Sequence, residues 1–127
     1  MNNYPVGDYL IQIKNAARAS KREVVVANSG FIEAVAHALV KEDILESVKV
    51  ENGKLVSRLS YHKKAPRLID LKLVSKPGLR RYMNLDQLSG RKRKNASILL
   101  VSTPEGVVSS TDAFKKGVGG EVIVEVW

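Results

Sequence analysis

The feature that most constrains this chain is a change in the spacing of its apolar residues near Asp43. Before it, apolar positions recur every three or four residues; after it, they recur mainly every two. The first spacing places side chains along one stripe of a helix and the second along one face of a strand. A chain of 127 residues patterned in this order is expected to fold as α+β, with N-terminal helices on a small sheet followed by a mostly β part.

Val6, Leu10, Ile13 and Ala17 predict a helix over residues 6–20, opened near Pro5, with Lys14 and Arg18 on its other face. The β-branched run EVVVA at residues 23–27 predicts a strand. Asn28 and Ser29 offer a cap for a helix over residues 31–41, with Phe31, Ile32, Val35, Leu39 and Val40 on one side and His37 facing solvent. Residues 44–51 and 54–61 read as a β-hairpin about Asn52-Gly53. A break ending at Pro66 sets the expected boundary between an α/β domain, residues 1–66, and a mostly β domain with one short helix, residues 67–127. In the second domain, strands are expected at residues 67–74, with Ile69, Leu71 and Leu73 on one face, and at residues 97–103. A short helix over residues 111–116, capped by Ser110 and closed by Gly117, then precedes a terminal strand alternating Val122, Val124 and Val126 with Glu121, Ile123 and Glu125.

The net charge is +8, and its location matters more than its size. Residues 54–94 hold 13 Lys or Arg against Asp70 and Asp86, whereas the rest of the chain holds 8 basic and 11 acidic groups. Such a concentration can be a solvated face, but it repels itself unless an acidic partner offsets it, and nucleic acid is the first candidate. The absence of cysteine excludes a disulfide scaffold and a zinc finger and fits a reducing cytoplasm. No apolar run approaches the roughly 18 residues of a spanning helix, and the N-terminus lacks the design of a signal peptide. The fold is therefore expected to begin with the chain and to have no membrane partner.

Catalysis needs a nucleophile beside a base, a carboxylate pair or a metal cluster, and none is legible here. His37 lies on an exposed helix face and His62 beside two lysines. Gly117, Gly119 and Gly120 lack the spacing of a phosphate-cradling loop. No cofactor, metal or small-molecule substrate is expected. Two other segments suit RNA. SKPGLRRY at residues 75–82 puts a Pro-Gly turn between Lys76 and Arg80-Arg81-Tyr82, so that cations stand beside an aromatic ring able to stack on an unpaired base. STPEG at residues 102–106 ends a strand with two hydroxyls that can read phosphates, sugars or base edges. The rivals are a non-specific architectural nucleic-acid binder, and a nuclease built on His62 and Asp70.

In order along the chain, the segments resemble the bacterial family of ribosomal small-subunit protein eight. The matching residues are Asp8 with Ile13-Lys14-Asn15-Ala16, Asn28-Ser29, Ser75-Lys76-Pro77-Gly78-Leu79-Arg80 with Tyr82, Ser102-Thr103 with Gly106, Ala113, and Gly119-Gly120-Glu121-Val122 before Trp127. The resemblance implies a two-domain protein of the cytoplasmic small subunit that binds the central domain of 16S rRNA early in assembly, among neighbouring ribosomal proteins. It also implies that some members repress their own operon's messenger. On this resemblance, Ser102, Thr103, Gly106, Gly120 and Glu121 form the main RNA contact, Tyr82, Lys76 and Arg80 support it, and Lys14, Asn15 and Ser29 contribute from the N-terminal domain.

Two departures touch that surface. Where the family pattern is Ser-Thr-Ser, the third residue here is Pro104, which lacks a hydroxyl and an amide donor. Where the family has a glycine-rich approach, this chain has Arg91, Lys92, Arg93 and Lys94 after Gly90. These four cations are expected to add phosphate contacts that offset the missing donor.

Overall fold

Pro5 occupies the first helical position, where its missing N–H has no intrahelical partner to lose, and so starts α1 (Pro5–Arg18). The computed structural model describes residues 4–91 and 97–127. The chain divides into an N-terminal unit ending at Asp70 and a C-terminal unit, Leu71–Trp127.

In the N-terminal unit, α1 leads to β1 (Glu23–Ala27), and the Ser29 hydroxyl accepts from the Ile32 amide at 3.2 Å to cap α2 (Gly30–Lys41). Asn52 and Gly53, both at positive φ (52° and 76°), make the tight turn between β2 (Leu45–Glu51) and β3 (Lys54–Leu59). The antiparallel sheet has the order β1-β3-β2, and its inward face buries Val24, Leu45, Leu55 and Leu59 with Leu10 and Ile13 of α1 and Val35 and Leu39 of α2. Each such aliphatic side chain contributes about 1.5–3 kcal/mol on leaving water. Among them sits a polar pair: the Tyr9 hydroxyl meets Ser57 Oγ at 2.7 Å, and burial pushes the Tyr9 phenol up to about 12, an effect the Ser57 bond partly opposes. A short ladder of β4 (Tyr61–His62) with β5 (Ala65–Pro66) follows.

Phe31, expected among the inward residues of α2, is 40% exposed in the first turn, where its neighbour Ile32 takes the buried side. Residues 67–74 do not form one strand. Leu68 and Leu71 are both buried, a spacing of three that breaks the two-residue period and turns Ile69 outward to 75% exposure. Only Leu71–Leu73 pairs, as β6, the edge of the C-terminal sheet.

That sheet has the order β6-β10-β8-β9, where β8 is Ile98–Thr103, β9 Gly106–Ser109 and β10 Gly120–Val126, and β7 (Tyr82–Met83) also pairs with β10. Between β9 and β10 lies α4 (Ser110–Lys116), ended by Gly117 at φ 73°. Its cap is Ser109, whose hydroxyl accepts from the Asp112 amide at 3.1 Å; Ser110 is already inside the first turn. A register shift between Val122 and Val124 breaks the expected alternation in β10, so Ile123 is as fully buried as Val124. A further helix, α3 (Leu85–Arg91), covers the same face as α4. Its start is held reciprocally: the Asn84 amide donates to Gln87 Oε1 at 2.9 Å and the Gln87 amide to Asn84 Oδ1 at 3.0 Å. Leu88 of α3 and Ala113 of α4 close a core over Leu99, Val101 and Val122.

Candidate nucleic-acid interface

The first residues of β10 organise the candidate site. Glu121 lies opposite Tyr82 of β7 on one side and Ser102 of β8 on the other, and Ser102 lies opposite Val107 of β9. Directly opposed residues project from the same face of a sheet, so Tyr82, Glu121 and Ser102 form one row across three strands. The backbones converge there because Gly119 and Gly120 carry no side chain. A Cβ on Gly119 would run into the Met83 carbonyl oxygen, and one on Gly120 into the Ser102 carbonyl oxygen, with Thr103 Cα only 3.2 Å away.

The row joins three chemistries. Tyr82 is 66% exposed, an open ring at the end of the row. Glu121 is less accessible and holds Arg80 through Nη1 at 3.2 Å, which fixes a guanidinium on the carboxylate opposite Tyr82. Ser102 brings a half-buried hydroxyl. Thr103 uses its hydroxyl inside the turn that follows: it donates to the Gly106 carbonyl at 2.8 Å and accepts from the Glu105 amide at 3.0 Å. Thr103 and Gly106, which has φ 110°, therefore shape the loop that carries Pro104.

The segment leading into β7 is latched at its neck. Ser75 is buried, and its hydroxyl accepts from the Arg81 amide at 2.9 Å and donates to the Arg81 carbonyl at 3.3 Å. Beyond the latch, Lys76 and Leu79 close a tight turn with bonds of 3.0 and 2.9 Å over Pro77 and Gly78, the latter at φ 81°. Lys76 lines a hollow of about 220 Å³ with Lys72, Arg81 and Glu125. Arg81 directly precedes β7 and continues its pairing, its carbonyl accepting from the Val122 amide at 2.9 Å, so it leaves the face opposite Tyr82, and Lys76 groups with Arg81 and not with the Tyr82 row. On the Tyr82 side, a wide depression of about 680 Å³ runs along Asn84 and Leu85 to Gly117 and Gly119.

The other expected contacts lie in the N-terminal unit. Lys14 Nζ is 3.2 Å from Asp70 Oδ1, and Arg18 is 3.3 Å from the other oxygen, so Asp70 is held as an ion-pair partner of two cations. The hydroxyl of Ser29 serves as the α2 cap, while Asn15 is exposed on α1. The basic stretch is divided between the two units. In the N-terminal unit Arg58 bonds Glu46 at 2.9 Å and Glu23 at 3.4 Å, and Arg67 lies 3.5 Å from Asp43, whereas Lys72, Lys76, Arg80 and Arg81 belong to the C-terminal unit. Arg91 ends α3; Lys92, Arg93 and Lys94 lie outside the described residues.

The Asn84–Gln87 cap and the hollow beyond Lys76 escaped the sequence reading. The cap was visible in principle, as a polar residue followed three positions later by Gln and then Leu88. The hollow depends on Glu125 meeting Lys72 across β10 and β6, a pairing that residue spacing does not reveal.

The family model "Ribosomal protein S8" matches residues 4–127. The chain is 37% identical over 133 residues to the small ribosomal subunit protein uS8 of Persephonella marina, covering 97% of each. It is 38% identical over 128 residues to that of a Thermoanaerobacter species, covering 97% of this chain and 96% of the relative. For the Dichelobacter nodosus protein the identity is 37% over 125 residues, with 96% of each covered. A match across nearly the whole length assigns the chain to a family: it belongs to the ribosomal protein S8 family.

Proposed function

We propose that this chain is a structural component of the cytoplasmic small ribosomal subunit, without enzymatic activity, and that its C-terminal unit binds the central domain of 16S rRNA and supports early assembly. The observation that carries the RNA-binding part is the in-register row Tyr82–Glu121–Ser102 with Arg80 attached. The Tyr82 ring stacks on an unstacked base of an irregular helix. The Ser102 hydroxyl, donor and acceptor both, meets a sugar 2′-OH or a base edge along the minor groove. Glu121 cannot face phosphate; as an acceptor it suits base amino groups or a 2′-OH, while it also aims Arg80. Gly120 leaves the backbone bare for close approach, and the Thr103–Gly106 turn and the run from Arg91 to Lys94 meet the phosphates that flank it, while Lys76 and Arg81, which leave the opposite face, add longer-range attraction. Lys14, Asn15 and Ser29 would add contacts from the N-terminal unit. The same surface would serve to repress the messenger of the protein's own operon if that messenger presents a similar bulged helix.

The test is a titration of the purified chain with a 16S central-domain fragment, with excess duplex DNA and an unrelated RNA hairpin as competitors. Retained binding under competition, with loss on Tyr82→Ala, supports the proposal. Equal displacement by duplex DNA would make the chain a non-specific binder instead.

A further inference from the structure

We infer that the outer edge of β1 is a docking site for an extended segment of another protein of the small subunit, added as a fourth strand to the N-terminal sheet. The inference rests on membership of the small subunit and not on the RNA grip of the C-terminal unit.

Among the described residues β1 pairs only with β3, in five consecutive registers from Glu23↔Arg58 to Ala27↔Lys54 without a bulge. The Arg22 carbonyl accepts from the Leu59 amide at 2.8 Å, and the Asn28 amide donates to the Gly53 carbonyl at 2.9 Å. The even-numbered residues therefore turn their backbone groups toward β3, and Glu23, Val25 and Ala27 direct theirs outward. Strand edges in natural proteins are blunted by bulges, proline or charge. The opposite edge of this sheet is blunted: β2 shifts register between Leu45 and Ser47 and carries Glu46, Lys49 and Glu51, the last two paired at 2.8 Å. β1 has none of these devices beyond Glu23 at its start, and Val25 at its centre is 53% exposed.

The edge is also shaped and held for an occupant. A groove of about 360 Å³ runs between it and α1, where Ala16 and Ala19 leave depth and Gln12 and Asn15 offer amides. An added strand would turn alternate side chains into this groove, which fits small or branched ones. On the outer face, Arg58 is shared between Glu46 at 2.9 Å and Glu23 at 3.4 Å, so that row keeps an excess negative charge at the edge position. A basic residue of the incoming segment complements it. The strand is anchored before binding: the Tyr61 hydroxyl donates to the Lys21 carbonyl at 2.6 Å, and Arg22 stacks on the Tyr61 ring with its guanidinium carbon 4.8 Å from the centroid. The ordering cost of pairing then falls on the segment alone.

Amide hydrogen exchange resolved to single residues tests the inference on three samples: the free chain, the chain bound to protein-free 16S central-domain RNA, and assembled small subunits containing it. Exchange at Val25 and Ala27 should slow at least tenfold in the assembled subunit and remain unchanged in the RNA complex. In subunits carrying Val25→Pro, which removes an outward N–H and leaves the β3 ladder intact, the protection at Ala27 should disappear; Val25→Thr should retain it. Protection by RNA alone would make this edge an RNA contact, protection in the free chain that grows with concentration would make it a self-pairing edge, and no protection in the subunit would leave it unoccupied; each overturns the inference. Failure of the RNA complex to form would instead count against the proposed grip, because the subunit sample is read independently.

Discussion

Gly120→Ala probes the point on which the candidate interface turns. A Cβ at this position would meet the Ser102 carbonyl oxygen, the Ser102 carbonyl carbon at 2.9 Å and Thr103 Cα at 3.2 Å, all backbone atoms that no rotamer can move. Restoring the carbon separation to an ordinary value of about 3.6 Å requires β8 and β10 to part by about 0.7 Å. A ladder bond of about 2.9 Å stretched by that amount is no longer a hydrogen bond. Overpacking of this kind costs about 1–3 kcal/mol, and breaking one ladder bond adds about 1 kcal/mol. The sum, about 2–4 kcal/mol, lowers the melting temperature by about 8–15 °C for a chain of this size. Gly30→Ala is the control, since nothing lies within 4 Å of a Cβ there and its φ is ordinary; it should be neutral or stabilise by up to about 1 kcal/mol. Circular-dichroism melts of the two variants, followed by RNA titrations below the transition, read both consequences. A Gly120→Ala melt indistinguishable from that of the parent would mean that the strands do not converge as described, and the row built on that convergence would lose its basis.

Tyr82→Ala should weaken binding to the 16S fragment by about 1–3 kcal/mol, roughly 5- to 150-fold, and leave the melt nearly unchanged because the ring is 66% exposed. Tyr9→Phe strands the buried Ser57 hydroxyl and should cost about 1–3 kcal/mol in denaturant titrations, whereas the double variant with Ser57→Ala should recover much of that loss. Because the folded-state phenol is raised above its unfolded value of 10.0, the contribution of Tyr9 is fully present below pH 10 and is lost as pH rises toward 12, so an alkaline unfolding series should show a steeper decline in the parent than in Tyr9→Phe. Replacing Arg91, Lys92, Arg93 and Lys94 with Gln should flatten the dependence of log affinity on log salt by up to about 0.9 for each phosphate no longer neutralised, and an unchanged slope would dismiss their compensation for Pro104.

Local chemistry was the legible part of this fold. The Ser29 cap, the Asn52-Gly53 turn and the Gly117 stop each act within a few residues, and each stands where its residue types place it. Adjacent serines defeated the same logic at α4, because Ser109 and Ser110 are equally good caps until the end of β9 decides which one precedes the helix. The burial of Ile123 was not legible, since it follows from a register shift against β8, about 20 residues away in sequence. Ile69 was misplaced for a related reason: a two-residue period assumed a strand where Leu68 and Leu71 both turn inward. At the site, residue types and resemblance singled out Tyr82, Ser102 and Glu121, but their alignment comes from strand pairing between segments some 20 to 40 residues apart. The basic stretch of residues 54–94 reads as one block along the chain, yet it is split between two units and partly neutralised by Glu23, Glu46 and Asp43.

The proposed grip is tested most directly by hydroxyl-radical footprinting of the chain on the 16S central domain, parent against Ser102→Ala with Tyr82→Ala. A compact protected patch on one irregular helix, erased by the pair of substitutions while the protein stays folded, is the predicted outcome. Diffuse protection that survives them would show that RNA is held by charge alone and that the face built on Glu121 does not read it.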